Sequence, residues 1–204
     1  MNEHVVDDRQ TLLYMMAKPR QTFRHVIEHK NFSHSLYIGA IGGFSNALLG
    51  LFQTKYPFGF SLFNVVYSSF ITGVIVFLLT CFVTGYLMKV VGRLFGGQAT
   101  FKELFQVLCL VTVPYIWLLP VLLFWMQLSP DTFFKADLQN LNVKQVMIIA
   151  FGVLSIFIAS IWTFILTLVG LSEVMKVSKW KAFGTMFIAS MISSGILLAI
   201  MSIM

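Results

Sequence analysis

Residues 92–105 read GRLFGGQATFKELF and separate two long apolar runs. The adjacent glycines Gly96 and Gly97 are followed by Thr100, Lys102 and Glu103. Two readings compete: a glycine-rich loop that cradles a phosphate, or a short turn joining two membrane helices. A nucleotide-binding loop sets its glycines between a strand and a helix, with the spacing G-x-x-x-x-G-K-S/T. Gly92, Gly96 and Gly97 match neither the spacing nor the context. The pair Gly96 and Gly97 instead suits a turn, and Thr100 with Glu103 three residues on has the form of a capping box. In that arrangement the threonine hydroxyl accepts from the Glu103 amide while the carboxylate reaches back to the Thr100 amide. The stretch is a turn that opens a helix, so the chain is not read as a nucleotide-dependent enzyme.

Composition points the same way. Of 204 residues, 58% are hydrophobic and only 11% charged, against about 25% charged in an ordinary soluble domain. Mean hydropathy is +0.85. The expected class is an all-α polytopic membrane protein with five transmembrane helices. A spanning helix needs about 20 mostly apolar residues, and five segments qualify: about 33–52, 61–88, 104–128, 145–171 and 182–204. These form one transmembrane domain, 33–204, preceded by a polar segment, 1–32.

Lysine and arginine placement sets the expected orientation. Arg9, Lys18, Arg20, Arg24 and Lys30 precede the first span; Lys89, Arg93 and Lys102 follow the second; Lys176, Lys179 and Lys181 follow the fourth. The opposite side carries only Lys55, Lys135 and Lys144. The N-terminus is therefore expected in the cytoplasm and the C-terminus outside. The net charge of +6 follows from that orientation and from attraction to anionic lipid, so nucleic acid is not an expected partner. The first 32 residues lack a signal peptide's basic start, apolar core and cleavage site, and the first span is expected to be retained.

Within that polar segment, Pro19 suits the first turn of a helix. Phe23, Val26, Ile27 and Lys30 would then share a stripe, giving an amphipathic helix that lies on the cytoplasmic leaflet or docks on a partner. Asn142 with Gln145 forms a second capping box, opening the fourth span. Residues 55–59, KYPFG, read as an external turn, and residues 129–131, SPD, as a helix stop before a short interfacial helix around Phe133 and Phe134.

No Asp, Glu, Lys or Arg lies within any of the five spans. Proton relays, voltage sensors and ion-coupled transporters keep such groups there, and no catalytic set is visible, so neither an enzyme nor a cofactor is expected. His25 and His29 stand at i and i+4 around Glu28, a spacing that suits a metal; they also fit a basic headgroup stripe, and no metal site is assigned. Cys81 and Cys109 are read as buried thiols. Gly39, Gly43 and Ala47 in the first span, and Ser155, Ala159 and Thr163 in the fourth, form small-residue ridges that let helices pack closely. Pro114 and Pro120 are expected to kink or break the third span, opening a cleft in the sharper reading. Trp117 and Trp125 are expected to face lipid, with Trp125 marking the outer interface.

Several of these motifs resemble the Yip family of Ypt/Rab-GTPase-interacting membrane proteins. The resemblance lies in residues 96–105, GGQATFKELF, with Pro114; in Trp162 through residues 170–174, GLSEV, to Ser178, Lys181 and Ala182; and in residues 19–23, PRQTF. It implies a five-span membrane scaffold that forms homo-oligomers or pairs with another membrane protein. Eukaryotic members act at Golgi and vesicle membranes with Rab-type GTPases, and carry a long polar N-terminal domain with an Asp-Leu-Tyr-Gly-Pro motif. That motif is missing here, so Rab-type binding is not expected. The compact form resembles the bacterial branch, which implies a plasma-membrane location and a role beside exporters or in protection against membrane-active peptides.

The expected function is thus a non-enzymatic membrane-organising or accessory subunit. Thr100, Lys102, Glu103, Glu173 and Lys176 are its expected cytoplasmic network, with Glu103 or Glu173 meeting a lysine or arginine across two loops. The alternative is a small-molecule or lipid transport protein with a cleft at the Pro114–Pro120 break.

Overall fold

In the computed structural model of the protein, residues 8–54, 61–134 and 141–203 are described, with side chains described over 12–195 of that span. The described elements are all helices: α1 (Asp8–Ala17), α2 (Pro19–His29), α3 (Phe32–Gly50), α4 (Leu62–Leu94), α5 (Phe101–Leu110), α6 (Val113–Leu128), α7 (Pro130–Phe134), α8 (Val143–Met175) and α9 (Lys179–Ile203). Among the described residues, three stretches are long and apolar enough to cross a membrane: α4, the combined α5–α6 stretch Phe101–Leu128, and α8. Half of the apolar window of α5–α6 is buried, against 22% in α4 and 11% in α8. The α5–α6 stretch is therefore the axis of the bundle. α3, α4 and α8 pack around it, and α9 closes against α4 and α8.

Local sequence explains the element ends. The Thr100 hydroxyl accepts from the Glu103 N–H at 3.3 Å, and Glu103 Oε2 accepts from the Thr100 N–H at 2.7 Å. Asn142 and Gln145 form the same reciprocal pair at 2.9 and 3.0 Å. Each box satisfies two backbone donors that a helix start leaves open. Gly96 sits at φ +83°, a conformation glycine adopts without a Cβ penalty, and it lets Gly97 N–H turn back to Gly92 O at 2.9 Å.

The third expected span is two helices. α5 ends at Leu110 and α6 begins at Val113, with Pro114 in its first turn. Val111 N–H still reaches Val107 O, but Thr112 N–H swings to Cys109 O, and Tyr115 and Ile116 restart the ladder on Thr112 O. Proline has no N–H to offer the preceding turn, and its ring crowds that turn's carbonyl; at Pro114 the chain accommodates this by restarting the ladder. Pro120, by contrast, lies inside a continuous α6. Of the two expected break points, only Pro114 adjoins one.

The Gly39, Gly43 and Ala47 ridge fits against α4 and α5. A Cβ on Gly73 of α4 would stand 2.7 Å from Ala47 Cβ and 2.8 Å from Gly43 O, while Gly39 faces Cys109 and Phe77. Backbone-to-backbone approach of this kind needs small residues on both helices. The second ridge is less uniform. Ala159 is buried, the Ser155 hydroxyl donates to Phe151 O of its own helix at 2.7 Å, and the buried Thr163 hydroxyl has no partner among the described residues.

One end of the bundle is sealed by aromatic side chains. Phe133 and Phe134 of α7 are fully buried, and Phe52, Trp125 and Phe133 pack edge to face or tilted. Trp125 corrects a sequence expectation: it is 2% exposed, and its indole N–H donates to the Thr132 hydroxyl at 2.9 Å. It packs beneath α7 and does not face lipid, whereas Trp117 is exposed as expected. Residues 55–59 lie outside the described residues.

Candidate functional site at the basic end

The other end gathers α2, the α4–α5 turn and the α8–α9 turn. The two turns are joined directly, since Gln98 N–H donates to Met175 O at 3.3 Å. Lys176 ends α8 in the left-handed conformation, φ 54°, and its N–H closes on Ser172 O.

α2 lies on this surface. Its Pro19 occupies the first turn, and Thr22, Phe23 and Val26 are buried. The Phe23 ring reaches the space that a Cβ on Gly170 would fill, beside Val107. The apolar stripe read from the sequence is therefore taken up by α5 and α8. α1 continues the contact, burying Met15 and resting Met16 beside Pro114 and Trp162.

Charge fixes what the apolar face begins. Arg20 Nε donates to Glu173 Oε2 at 2.7 Å, and Arg24 Nε donates to Glu173 Oε1 at 3.0 Å. A further bond runs from Arg24 Nη2 to the same oxygen. The guanidiniums are largely exposed, whereas the Glu173 side chain is 12% exposed. Burial alone would raise the Glu173 carboxyl, but hydrogen bonds and charge from Arg24 and Arg20 outweigh it and hold the group below the usual carboxylate range. Glu173 stands beyond the apolar stretch that ends at Leu171.

Of the five residues expected to form a network here, Glu173 meets arginine, but from α2 and not across the two loops. Glu103 is engaged by Thr100, both at the amide and at the hydroxyl (2.7 Å). Lys102 and Lys176 are exposed and form no ion pair with a described residue. Arg24, Glu28, Glu103, Glu173 and Lys176 nevertheless line one depression of about 500 Å³. Sequence reasoning missed Arg20 and Arg24 as members. Their i, i+4 spacing puts both arginines on one face beside Phe23, which was the available signal. The His25 and His29 rings stack at 5.0 Å, and no three His, Cys, Asp or Glu side chains among the described residues form a metal cluster.

Away from this end, a cleft of about 210 Å³ runs between α6 and α8. Pro114, Trp117, Ser155, Ala159 and Trp162 line it with Met16, and Pro120 does not.

A helical chain with three apolar helices of membrane-crossing length, built around a broken central one, is a helical membrane protein. A family model, the Yip1 domain, matches residues 13–201, and the chain belongs to the Yip family. Comparison with curated proteins and with solved structures gave no match.

Proposed function

We propose that the protein is a non-enzymatic, five-span subunit of a bacterial plasma membrane, with its N-terminus cytoplasmic and its C-terminus outside. It serves as a membrane-organising or accessory component, docking another membrane protein such as an exporter, or acting in envelope defence. The observation that carries this reading is the clamp of Arg20 and Arg24 on Glu173. It joins α2 to α8 beside the α4–α5 turn, so the basic end offers one continuous surface with charged residues of both signs around a shared depression. Mixed charge at a rim favours partner selection and orientation. Photo-crosslinkers at Glu28 and Lys176, in native membranes, test it. Both positions should capture the same membrane protein, and Glu173→Gln should abolish capture. Capture that is indifferent to Glu173→Gln, or no capture from either position, overturns the reading.

The cleft beside Pro114 supports a second reading, a lipid or small-molecule transport protein. Reconstituted vesicles separate the two: flux that is lost on replacing Pro114 and kept on replacing Pro120 favours transport.

A further inference from the structure

The cleft between α6 and α8 does not end at Trp117. Val121 lines both it and a second cavity, bounded by Phe124, Leu128, Met147 and Phe151. Together they run from Pro114 to Leu128, fourteen residues apart and about 21 Å at the helical rise of 1.5 Å per residue. One leaflet of hydrocarbon is about 15 Å deep, half of a core about 30 Å thick. The groove is therefore long enough for a whole acyl chain. At about 210 and 310 Å³, the two cavities are too narrow for a helix, which is about 10 Å across.

The inner end carries an unmet donor. Trp162 lines the cleft with Pro114, and its indole N–H is buried with no acceptor among the described residues. The Ser155 hydroxyl on the same lining donates to Phe151 O at 2.7 Å. A donor buried without an acceptor is costly, and hydrocarbon cannot supply one. Among the described residues no lysine, arginine or histidine lines either cavity, so a carboxylate or phosphate there would be an unpaired buried charge. The chemistry that fits is a neutral acceptor carried on a long apolar chain.

We infer that the groove binds one ester-linked acyl chain of a membrane glycerolipid. Its carbonyl accepts from the Trp162 Nε1–H, its chain runs past Val121 to Leu128, and its headgroup lies toward α1. Met16 of α1 lines the same inner end, and this long, adaptable side chain yields as the carbonyl reaches the buried N–H. The inference rests on the cleft of the second reading but requires no transport.

The test uses the full chain in detergent, with bound lipid counted by native mass spectrometry. The probes are ester-linked phosphatidylglycerol and its ether-linked analogue of equal chain length, which lacks the carbonyl. The parent is expected to hold the ester about fivefold more tightly, the worth of one hydrogen bond. Trp162→Phe keeps the ring and should bind both lipids alike, at the parent's ether level. Val121→Trp fills the junction of the two cavities and should weaken both. A photoreactive group in mid-chain of the ester lipid should label α6 around Phe124 and α8 around Phe151 well above the exposed face of α4 around Phe82. Equal affinity of the parent for the two lipids overturns the inference. So does an ester preference that survives Trp162→Phe, or label spread evenly over the three helices. Flux is read separately in vesicles, so its absence would end the transport reading and leave the binding result standing.

Discussion

Arg24 on α2 and Glu173 near the end of α8 are 149 residues apart in sequence and hydrogen-bonded at 3.0 Å. Arg20 binds the other carboxylate oxygen of the same glutamate. One acidic side chain therefore fixes the N-terminal helix on the membrane bundle.

Glu173→Gln should loosen α2 without undocking it fully, because the buried Phe23 and Val26 still hold it. Hydrogen exchange of residues 19–29 should quicken while α8 amides up to Leu171 stay protected. Equal exchange in both proteins would show that apolar packing alone seats α2. Largely exposed ion pairs are screened by salt, so raising ionic strength should shift the parent toward the variant.

Acid should do what the substitution does. Glu173 is held below its ordinary value when α2 is docked, so its contribution is complete above the carboxylate range of the undocked state. That contribution is lost as pH falls through the docked value. Protection of α2 should be level between pH 7 and 5, and should fall only below about 4.3. In Glu173→Gln this transition should be missing, which exchange measured across the pH series would reveal.

Under α7, Thr132→Val keeps shape while leaving the Trp125 N–H buried without an acceptor. The expected loss is about 1–3 kcal/mol, read as a lower unfolding temperature in detergent. An unchanged midpoint would mean that the indole finds another acceptor.

Thr100→Ala removes one half of the capping box that opens α5. A loss of about 1 kcal/mol is expected, with exchange rising first at Leu104 and the amides just before it. Gln145→Ala makes the parallel test at α8.

What the sequence made legible is what depends on near neighbours. The boxes at Thr100 and Asn142 each need only a partner three residues on, and the bulk of α4 and α8 follows from uninterrupted apolar runs, although α4 continues past its run through Lys89 and Arg93 to Leu94. The short helix after Ser129 was foreseen from a proline and a polar pair. Long-range choices were not foreseen. Nothing local says that Glu173 selects arginines of α2 over lysines of the neighbouring turn, or that α7 folds back to bury Trp125. Pro114 and Pro120 read alike in sequence. Only tertiary packing decides that the chain breaks at Val111 and Thr112, where the Thr112 hydroxyl caps Cys109 O at 2.7 Å, and stays helical through Pro120.

Charge reversal at the clamp tests the central claim most directly. Crosslinked partner capture from position 28 should be lost in Glu173→Arg, and restored when Arg20→Glu and Arg24→Glu are added to it. Capture that persists in Glu173→Arg alone, or that stays lost in the triple variant although exchange shows α2 docked again, would contradict the account.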